Sequence, residues 1–255
     1  MKVNYKVYNP AGNITALVIG DNYTLEERRK INDEIMRKDS SIEQVGFVSM
    51  KEKRLTMAGG EFCGNATRSA ILYYQMKESE SIKINNQCIK GGIEDKNLVW
   101  CALPVNNHKL NIIDRDIYEV VLEGITIVVI SENLSKVYLS KDIKSEAKKI
   151  INKYNIYDND AIGVMFLEKN KNLKINPVVW VKSIDTLFLE NACGSGTIAI
   201  SILKTVLEPH CNRYTIEQPS GEILETKIKS ENGMITKVIL SGKIYQDEEV
   251  KEINI

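Results

Sequence analysis

The chain has 255 residues with 34 basic and 34 acidic side chains, so its formal net charge is zero. This balance argues against a nucleic-acid partner bound by bulk electrostatics, because such binding normally needs a basic excess. A composition that is 43% apolar and 27% charged is typical of a globular protein. No apolar run reaches the length of about 18 residues that a membrane span requires, so no membrane partner is expected.

The cysteine and histidine counts restrict the chemistry further. Five cysteines are too few, and odd in number, for a disulfide scaffold. The N-terminal residues also lack the charged-then-apolar pattern of a secretory signal, so we expect a cytoplasmic protein with free thiols. With only His108 and His210 available, and no closely spaced cysteine pair, we expect no metal site.

The first elements are readable from local patterns. Val3 to Val7 alternates like a strand, and a second strand covers residues 16–19 after a turn. Thr24-Leu25-Glu26-Glu27 has the capping-box pattern, in which Thr and Glu satisfy each other's backbone donors at a helix start. The helix is predicted to run to about residue 37 with three apolar side chains facing inward: Ile31, Ile35 and Met36.

An internal repeat organises the rest of the chain. Cys63-Gly64-Asn65 precedes a helical pattern to about Met76, and Cys193-Gly194-Ser195 precedes another, to Leu207. Three short strand-like runs follow each helix. They are Ile82–Ile84, Cys88–Glu94 and Leu98–Leu103 in the first copy, and Tyr214–Glu217, Glu222–Lys229 and Thr236–Leu240 in the second.

This duplication predicts an α+β fold with two pseudo-symmetric lobes. Each lobe would pack a helix on an antiparallel or mixed sheet. We place residues 1–110 in the N-terminal lobe and residues 111–242 in the C-terminal lobe. The last stretch, 243–255, is expected to return to the N-terminal lobe.

The two Cys-Gly helix starts carry the chemistry. Unpaired N–H groups and the positive end of the helix dipole favour an anion there, so each cysteine is expected to have a lowered pKa. If the lobes face each other, the thiols could flank one small acid, and the N–H groups could hold its carboxylate. A thiolate on one face and a thiol on the other would then invert the carbon between them by general acid–base catalysis.

The strings Gly59-Gly60-Glu61-Phe62-Cys63-Gly64-Asn65-Ala66 and Ala192-Cys193-Gly194-Ser195-Gly196-Thr197 resemble the two cysteine motifs of the diaminopimelate epimerase-like superfamily. Members are amino-acid racemases and epimerases that do not use pyridoxal phosphate. The resemblance implies no cofactor, an active site in the cleft between two lobes, and Cys63 and Cys193 as the acid/base pair. It implies an amino-acid substrate as partner, and a homodimer remains an option.

The resemblance also implies further substrate-binding residues. Asn13 matches a substrate-contacting asparagine, and Gln44 matches a glutamine of the family. The carboxylate cradles correspond to Gly64 with Asn65 and to Gly194 with Ser195. A weaker match places Asn133 in the second lobe. Asp185 or Glu190 is a candidate contact for the substrate's ammonium group or a basic side chain.

Departures from the superfamily's best-known pattern bear on the substrate. Diaminopimelate epimerases usually have asparagine where this chain has Met57 and Ala161, and a Glu-Arg pair upstream of the second cysteine. Residues 183–190 contain no arginine, so the bidentate clamp for a distal carboxylate is missing. The first motif is most similar to that of histidine racemases. Histidine is therefore the preferred substrate, and diaminopimelate the alternative.

Three rival interpretations remain at the sequence level. Gly194-Ser195-Gly196-Thr197-Ile198-Ala199 fits the fingerprint of a dinucleotide-dependent oxidoreductase, with Glu217 as the ribose-binding acid. The preceding segment is, however, a poor buried parallel strand. A non-catalytic amino-acid-binding protein would not need both thiols. Carbon-skeleton isomerisation is known from superfamily members that lack the cysteine pair.

The remaining cysteines and one arginine have ordinary structural interpretations. Cys88 and Cys101 fall in predicted strands and are expected in the core, and Cys211 is expected in a loop. Arg68, in the first turns of its helix, is expected to be solvated or to cap the helix.

Overall fold

The computed structural model describes residues 1–78, 80–157, 159, 161–169, 171–182 and 186–255. The chain divides into two compact units, a first unit of Met1–Leu103 with Ser241–Ile255 and a second unit of Pro104–Leu240. Each unit mixes helices with a sheet of parallel and antiparallel strands, so the α+β class is confirmed. No helix of the described residues is long and apolar enough to cross a membrane.

The helices and strands follow in chain order. The first unit begins with β1 (Lys2–Pro10), β2 (Thr15–Ile19), α1 (Leu25–Lys38), β3 (Gln44–Val48), β4 (Arg54–Met57), α2 (Gly64–Tyr73), β5 (Ser81–Ile84), β6 (Gln87–Asp95) and β7 (Leu98–Pro104). The second unit continues with β8 (Lys109–Asp114), β9 (Ile117–Leu122), β10 (Ile125–Ile130), α3 (Glu132–Leu139), α4 (Ile143–Lys153), β11 (Ala161–Lys169), β12 (Leu173–Val181), β13 (Thr186–Leu189), α5 (Gly194–Leu207), β14 (Arg213–Glu217) and β15 (Ile223–Glu231). Strand β16 (Met234–Gln246) returns to the first unit, which ends with β17 (Lys251–Asn254).

Helix α1 forms where the capping box predicted it. Thr24 Oγ1 accepts from the Glu27 N–H at 3.2 Å, and the Glu27 carboxylate accepts from the Thr24 N–H at 2.8 Å. Ile31 and Ile35 are fully buried against strands β1 to β3. Burial of an isoleucine stabilises a fold by about 1.5–3 kcal/mol, so this face anchors the helix. Met36 packs at the edge of the same cluster.

The strand order of the first unit recurs in the second. In the first unit β1 pairs antiparallel with β2, β2 parallel with β3, β3 antiparallel with β4 and β4 parallel with β5. In the second unit the same sequence of pairings joins β9, β10, β11, β12 and β14. The parallel steps need crossover connections, which contain α1 and α2 in one copy and α3 with α4, then α5, in the other.

The helices that begin at the repeated motifs are the buried helices of their units. Residues Gly64 to Leu72 of α2 are all buried, as is most of α5 up to Leu203. Helix α5 buries mostly apolar side chains, with Thr197 and Ser201 among them. Helix α2 instead buries four polar side chains: Asn65, Thr67, Arg68 and Ser69. Those groups need partners within the protein.

Candidate functional site

Cys63 and Cys193 are the N-cap residues of α2 and α5, with nearly the same geometry. Their backbone angles are φ −137°, ψ 117° and φ −123°, ψ 104°. Each Sγ accepts a hydrogen bond from the N–H three residues later, of Ala66 or Gly196, at 3.4 Å. A thiol is an unusual N-cap, since Ser, Thr, Asp and Asn are strongly preferred there. The same uncommon choice at both helix starts indicates a chemical role for the sulfur.

Two threonines hold both helix starts in the same way. Thr67 Oγ1 donates to the Cys63 carbonyl at 2.7 Å, and Thr197 Oγ1 donates to the Cys193 carbonyl at 2.7 Å. The N–H groups of the first helical turn have no intrahelical carbonyl to bind. Gly64 with Asn65, and Gly194 with Ser195, occupy those first positions. Each turn therefore offers N–H donors beside a sulfur, an arrangement suited to a carboxylate.

Cys63 lies at the end of a chain of side-chain hydrogen bonds. Asn13 Nδ2 donates to the Glu43 carboxylate at 2.8 Å, and Gln44 Nε2 donates to Asn13 Oδ1 at 2.5 Å and to Thr15 Oγ1 at 2.7 Å. Because the carboxylate only accepts, it fixes the direction of both amides. The remaining oxygen, Gln44 Oε1, accepts from Cys63 Sγ at 3.1 Å. The first unit thus brings Asn13, Gln44 and Cys63 together.

Cys193 is 3% exposed, and its backbone is locked by a buried glutamine. Its N–H donates to Gln218 Oε1 at 2.9 Å, while Gln218 Nε2 donates to Thr197 Oγ1 at 3.2 Å. Ser195 Oγ lies 3.4 Å from the sulfur. Gln218 and Thr197 together therefore hold the backbone of Cys193 in place.

The sequence expectation of a lowered pKa at both cysteines is wrong for Cys193. Burial raises the pKa of its thiol well above the usual range, and the charge of Glu190 and its hydrogen bond to the thiol raise it further. Ser195 and the Gly196 N–H lower the pKa by less. Desolvation and a neighbouring carboxylate therefore outweigh the helix terminus. Cys193 is a protonated thiol with Glu190 as its acceptor.

The other predicted site residues fall into different surroundings. Glu190 contacts Cys193 as described, and Gly194 and Ser195 form the start of α5. Asn133 is exposed in the first turn of α3, and within the described part of the chain no hydrogen bond joins it to Cys193. Asp185 lies outside the described residues.

Two structural expectations are wrong, and several site residues were missed. Cys88 is exposed on β6, because its side chain falls on the outer face of the strand; Cys101, by contrast, is fully buried. Arg68 is fully buried rather than solvated, because α2 is enclosed on all sides. The missed side chains are Glu43, Thr67, Thr197 and Gln218. A signal for the threonines was present, since both stand four residues after a repeated cysteine.

The segment before α5 bears on the dinucleotide interpretation. Strand β13 runs antiparallel to β12, and its Phe188 and Leu189 are exposed, whereas a dinucleotide fingerprint follows a buried parallel strand. Strands β14 and β15 after the helix form an antiparallel pair. Across the described residues, no cluster of three or more His, Cys, Asp or Glu side chains could hold a metal ion.

Solved structures of low sequence identity have the same fold. A phenazine biosynthesis PhzF-family protein from Enterococcus faecalis aligns with TM-score 0.64 at 12% identity, covering 100% of both chains. A hydroxyproline epimerase from Agrobacterium vitis, solved with bound trans-4-hydroxy-L-proline, aligns with TM-score 0.60 at 9% identity, covering 99% of this chain and 92% of its own. A probable proline racemase from Agrobacterium radiobacter aligns with TM-score 0.61 at 10% identity, with the same coverage.

Sequence relatives add the activity class. A histidine racemase of Fusobacterium nucleatum is 31% identical over 93% of this chain and 95% of its own length. A histidine racemase of Staphylococcus aureus is 27% identical over 95% of this chain and 97% of its own. With the fold and the paired cysteine caps, these relatives define an isomerase, a racemase of the diaminopimelate epimerase-like fold. The chain belongs to the family described as the histidine racemase CntK N-terminal domain, whose model matches residues 2–246.

Proposed function

We propose that this protein racemises histidine without a cofactor, by proton transfer between Cys63 and Cys193. The observation that carries the proposal is the duplicated thiol N-cap, with the same sulfur–amide and threonine–carbonyl contacts in both units. A racemase must reach both faces of one carbon, and a duplicated lobe supplies one acid/base group for each face. We propose that the two thiols flank the substrate's α-carbon.

The substrate's carboxylate would be held by the N–H groups at Gly64 and Asn65 and at Gly194 and Ser195. Loss of the α-proton places negative charge on the carbon and the carboxylate oxygens. Fixed N–H donors at two helix starts stabilise that charge more in the transition state than in the ground state. Because the α-hydrogen is a very weak acid, most of the rate enhancement must come from this stabilisation in a dry site.

The surroundings of the cysteines support a definite order of proton transfer. Cys193 holds its proton, because burial and Glu190 raise its pKa, so it is the donor in the resting enzyme. Cys63 as thiolate would remove the α-proton from one face, and Cys193 would deliver its proton to the other. The products are the opposite enantiomer, a Cys63 thiol and a Cys193 thiolate, so protons balance. The next turnover in reverse, or exchange with solvent, restores the starting state.

Histidine as substrate is supported by the relatives named histidine racemase and by the family match. Diaminopimelate is disfavoured because Met57 and Ala161 replace the asparagines expected there, and residues 183–190 lack the arginine. Met57 is 1% exposed at the end of β4, so it offers no hydrogen bond to a distal ammonium or carboxylate. We also propose that the protein is located in the reducing cytoplasm, which is consistent with its five free cysteines.

The experiment is α-proton exchange in deuterated water without pyridoxal phosphate, followed by proton NMR and chiral chromatography. L- and D-histidine should both lose the α-proton signal and interconvert, while a panel of other amino acids and diaminopimelate reacts more slowly. No exchange with any substrate would exclude racemase chemistry. Faster turnover of diaminopimelate would exclude histidine as the preferred substrate.

Single substitutions test the two-thiol mechanism. Cys63→Ser and Cys193→Ser should each lower the racemisation rate by about 10²-fold or more, the usual contribution of a positioned acid or base. Cys88→Ser is the matched control, since Cys88 is an exposed thiol on β6, and it should keep the wild-type rate. Near wild-type racemisation by either serine variant would refute the mechanism.

A further inference from the structure

Arg68 is the largest fully buried side chain of the described residues, and no carboxylate among them forms an ion pair with it. Its Nη1 donates to the Gly242 carbonyl at 3.0 Å and its Nη2 to Asn65 Oδ1 at 2.9 Å. Its Nε is buried without a hydrogen bond, and none of the described ion pairs includes it. A buried guanidinium without a paired anion opposes folding, so its presence in α2, the helix that Cys63 caps, needs another reason.

Arg68 lies on α2 five residues after the N-cap Cys63, and its Nη2 reaches back to Asn65 in the first turn, so the guanidinium lies at the thiol-capped end of the helix. Two thiols interact with its charge, Cys101 first and Cys63 second. Burial lowers the pKa of Arg68 to about 10, so the guanidinium still carries its charge at neutral pH. Burial raises the pKa of Cys101 to about 12 despite the opposing effect of Arg68, so Cys101 stays protonated. Cys63 is only half-buried and its sulfur already accepts the Ala66 N–H. Because Cys101 stays a thiol, Cys63 is the thiol on which the charge of Arg68 is left to act.

Among the described residues, no other buried charge competes for Arg68 on the strands around α2, which are β1, β2 and β6, with β7 and β16 supplying Cys101 and Gly242. Strand β7 has no charged side chain, and the lysines of β16 are not buried. The buried titratable groups of β1 are Tyr5 and Tyr8, and burial raises the pKa of both, so they are neutral phenols. Strand β2 has no titratable side chain, and the charged side chains of β6 are exposed.

We propose that Arg68 is the fixed positive charge that stabilises the thiolate of Cys63 and at the same time holds Asn65 in place at the start of α2. The role in turnover rests on the proposed racemase function. Gln44 Oε1 accepts from the Cys63 sulfur and so favours its thiol, whereas Arg68 and the Ala66 N–H favour its thiolate. A thiolate at Cys63 and a thiol at Cys193 are the opposite proton states that one turnover requires. Arg68 is a positioning residue, because it acts through Cys63 and Asn65.

The test measures ionisation of Cys63 directly, through the rate of its alkylation by iodoacetamide from pH 5 to pH 10, with peptide mass analysis to resolve Cys63. Arg68→Gln keeps a donor but removes the charge, and Arg68→Lys keeps the charge but loses the planar fork. In Arg68→Gln the Cys63 profile should move to higher pH, with alkylation at neutral pH slowed by about tenfold, the effect of one pKa unit. Arg68→Lys should remain within about threefold of wild type. Arg37→Gln, an exposed arginine paired with Glu34, is the matched control and should leave the profile unchanged.

Equal slowing in the Gln and Lys variants, or an unchanged profile in a folded Arg68→Gln protein, overturns the assignment. If neither variant folds, the alkylation profile of Cys63 in the wild-type protein still tests the proposal. Its Cys63 should titrate at lower pH when folded than in urea, and a higher midpoint in the folded protein overturns the proposal. Alkylation needs no substrate. If Arg68→Gln shifts the alkylation profile of Cys63 but no amino acid exchanges its α-proton, this inference holds and the proposed function is excluded. If amino acids exchange their α-proton but the profile is unchanged, the proposed function holds and this inference is excluded.

Discussion

The hydrogen-bond chain that ends at Cys63 predicts strong coupling between Asn13 and Gln44. Asn13 is 5% exposed, and its Oδ1 accepts from Gln44 Nε2 at 2.5 Å. A hydrogen bond contributes about 0.5–1.5 kcal/mol net, and a buried group left without its partner costs about 1–3 kcal/mol. Asn13→Ala and Gln44→Ala should therefore each lower the free energy of unfolding by about 1–3 kcal/mol. The loss in the double variant should be smaller than the sum, by about 1 kcal/mol.

The assay is urea unfolding of the full chain, observed through a fluorescent residue of the first unit. In a Trp180→Phe background, fluorescence comes from Trp100 on β7, which belongs to that unit. With a slope of about 2–3 kcal/mol per molar urea, a coupling of 1 kcal/mol moves the midpoint by roughly 0.4 M. Circular dichroism at the same urea concentrations shows whether the transition is two-state.

The control cycle uses Glu26 and Lys30, whose side chains are joined at 2.8 Å on the exposed face of α1, in the same unit as Trp100. Solvent competes for that contact, so its coupling should be below about 0.5 kcal/mol. Equal coupling in both cycles would refute the claim that a buried network fixes Gln44. The orientation of Gln44 Oε1 toward Cys63 would then lose its physical basis.

Three further predictions concern the thiols. Glu190→Gln removes the charge that raises the pKa of Cys193, so Cys193 alkylation should become faster at a given pH; an unchanged profile contradicts the contact. Cys101, with a pKa raised from about 9 to about 12, stabilises the fold fully below pH 9 and progressively less up to pH 12. Between pH 8 and pH 10 the free energy of unfolding should therefore fall by about 1 kcal/mol less in Cys101→Ala than in the wild type, as chemical unfolding can measure. Equal decreases in the two proteins would exclude a contribution of Cys101 to this pH dependence. If Cys63 and Cys193 flank one carbon as proposed, their sulfurs approach bonding distance, and diamide should inactivate the enzyme through a disulfide between them. Inactive protein that lacks this bridge in peptide maps counts against the proposal.

The helix starts could be predicted from the sequence because local hydrogen bonds determine them. The capping box at Thr24 and the helix starts at Cys63 and Cys193 are decided by neighbours within four residues, and all three formed where the patterns placed them. The duplicated order of helix and strands was visible for the same reason. Strand β16 is longer than the predicted run to Leu240, because its C-terminal half gains pairing with β1, far away in sequence.

The ionisation of the site depends on contacts that no local pattern contains. Arg68 has an ordinary position for a solvated helix residue, yet its partner is a carbonyl 174 positions away, at Gly242. Cys193 has the helix terminus that should lower its pKa, but its burial and the approach of Glu190 reverse the direction. Desolvation and charge proximity follow from how distant segments pack, so the same motif gives different acidities in different surroundings.

The sequence by itself determined the α+β repeat, the two thiol-capped helices and the pair of cysteines to consider, because caps and hydrophobic periodicity are short-range properties. Only the tertiary structure decided the environment of each sulfur. It buried the Arg68 guanidinium in the helix that Cys63 caps, directed Gln44 at that sulfur, and buried Cys193 beside a carboxylate. Proton affinity is set by burial and by charges brought together across the fold, so the chemistry that distinguishes the two cysteines arises when the chain folds.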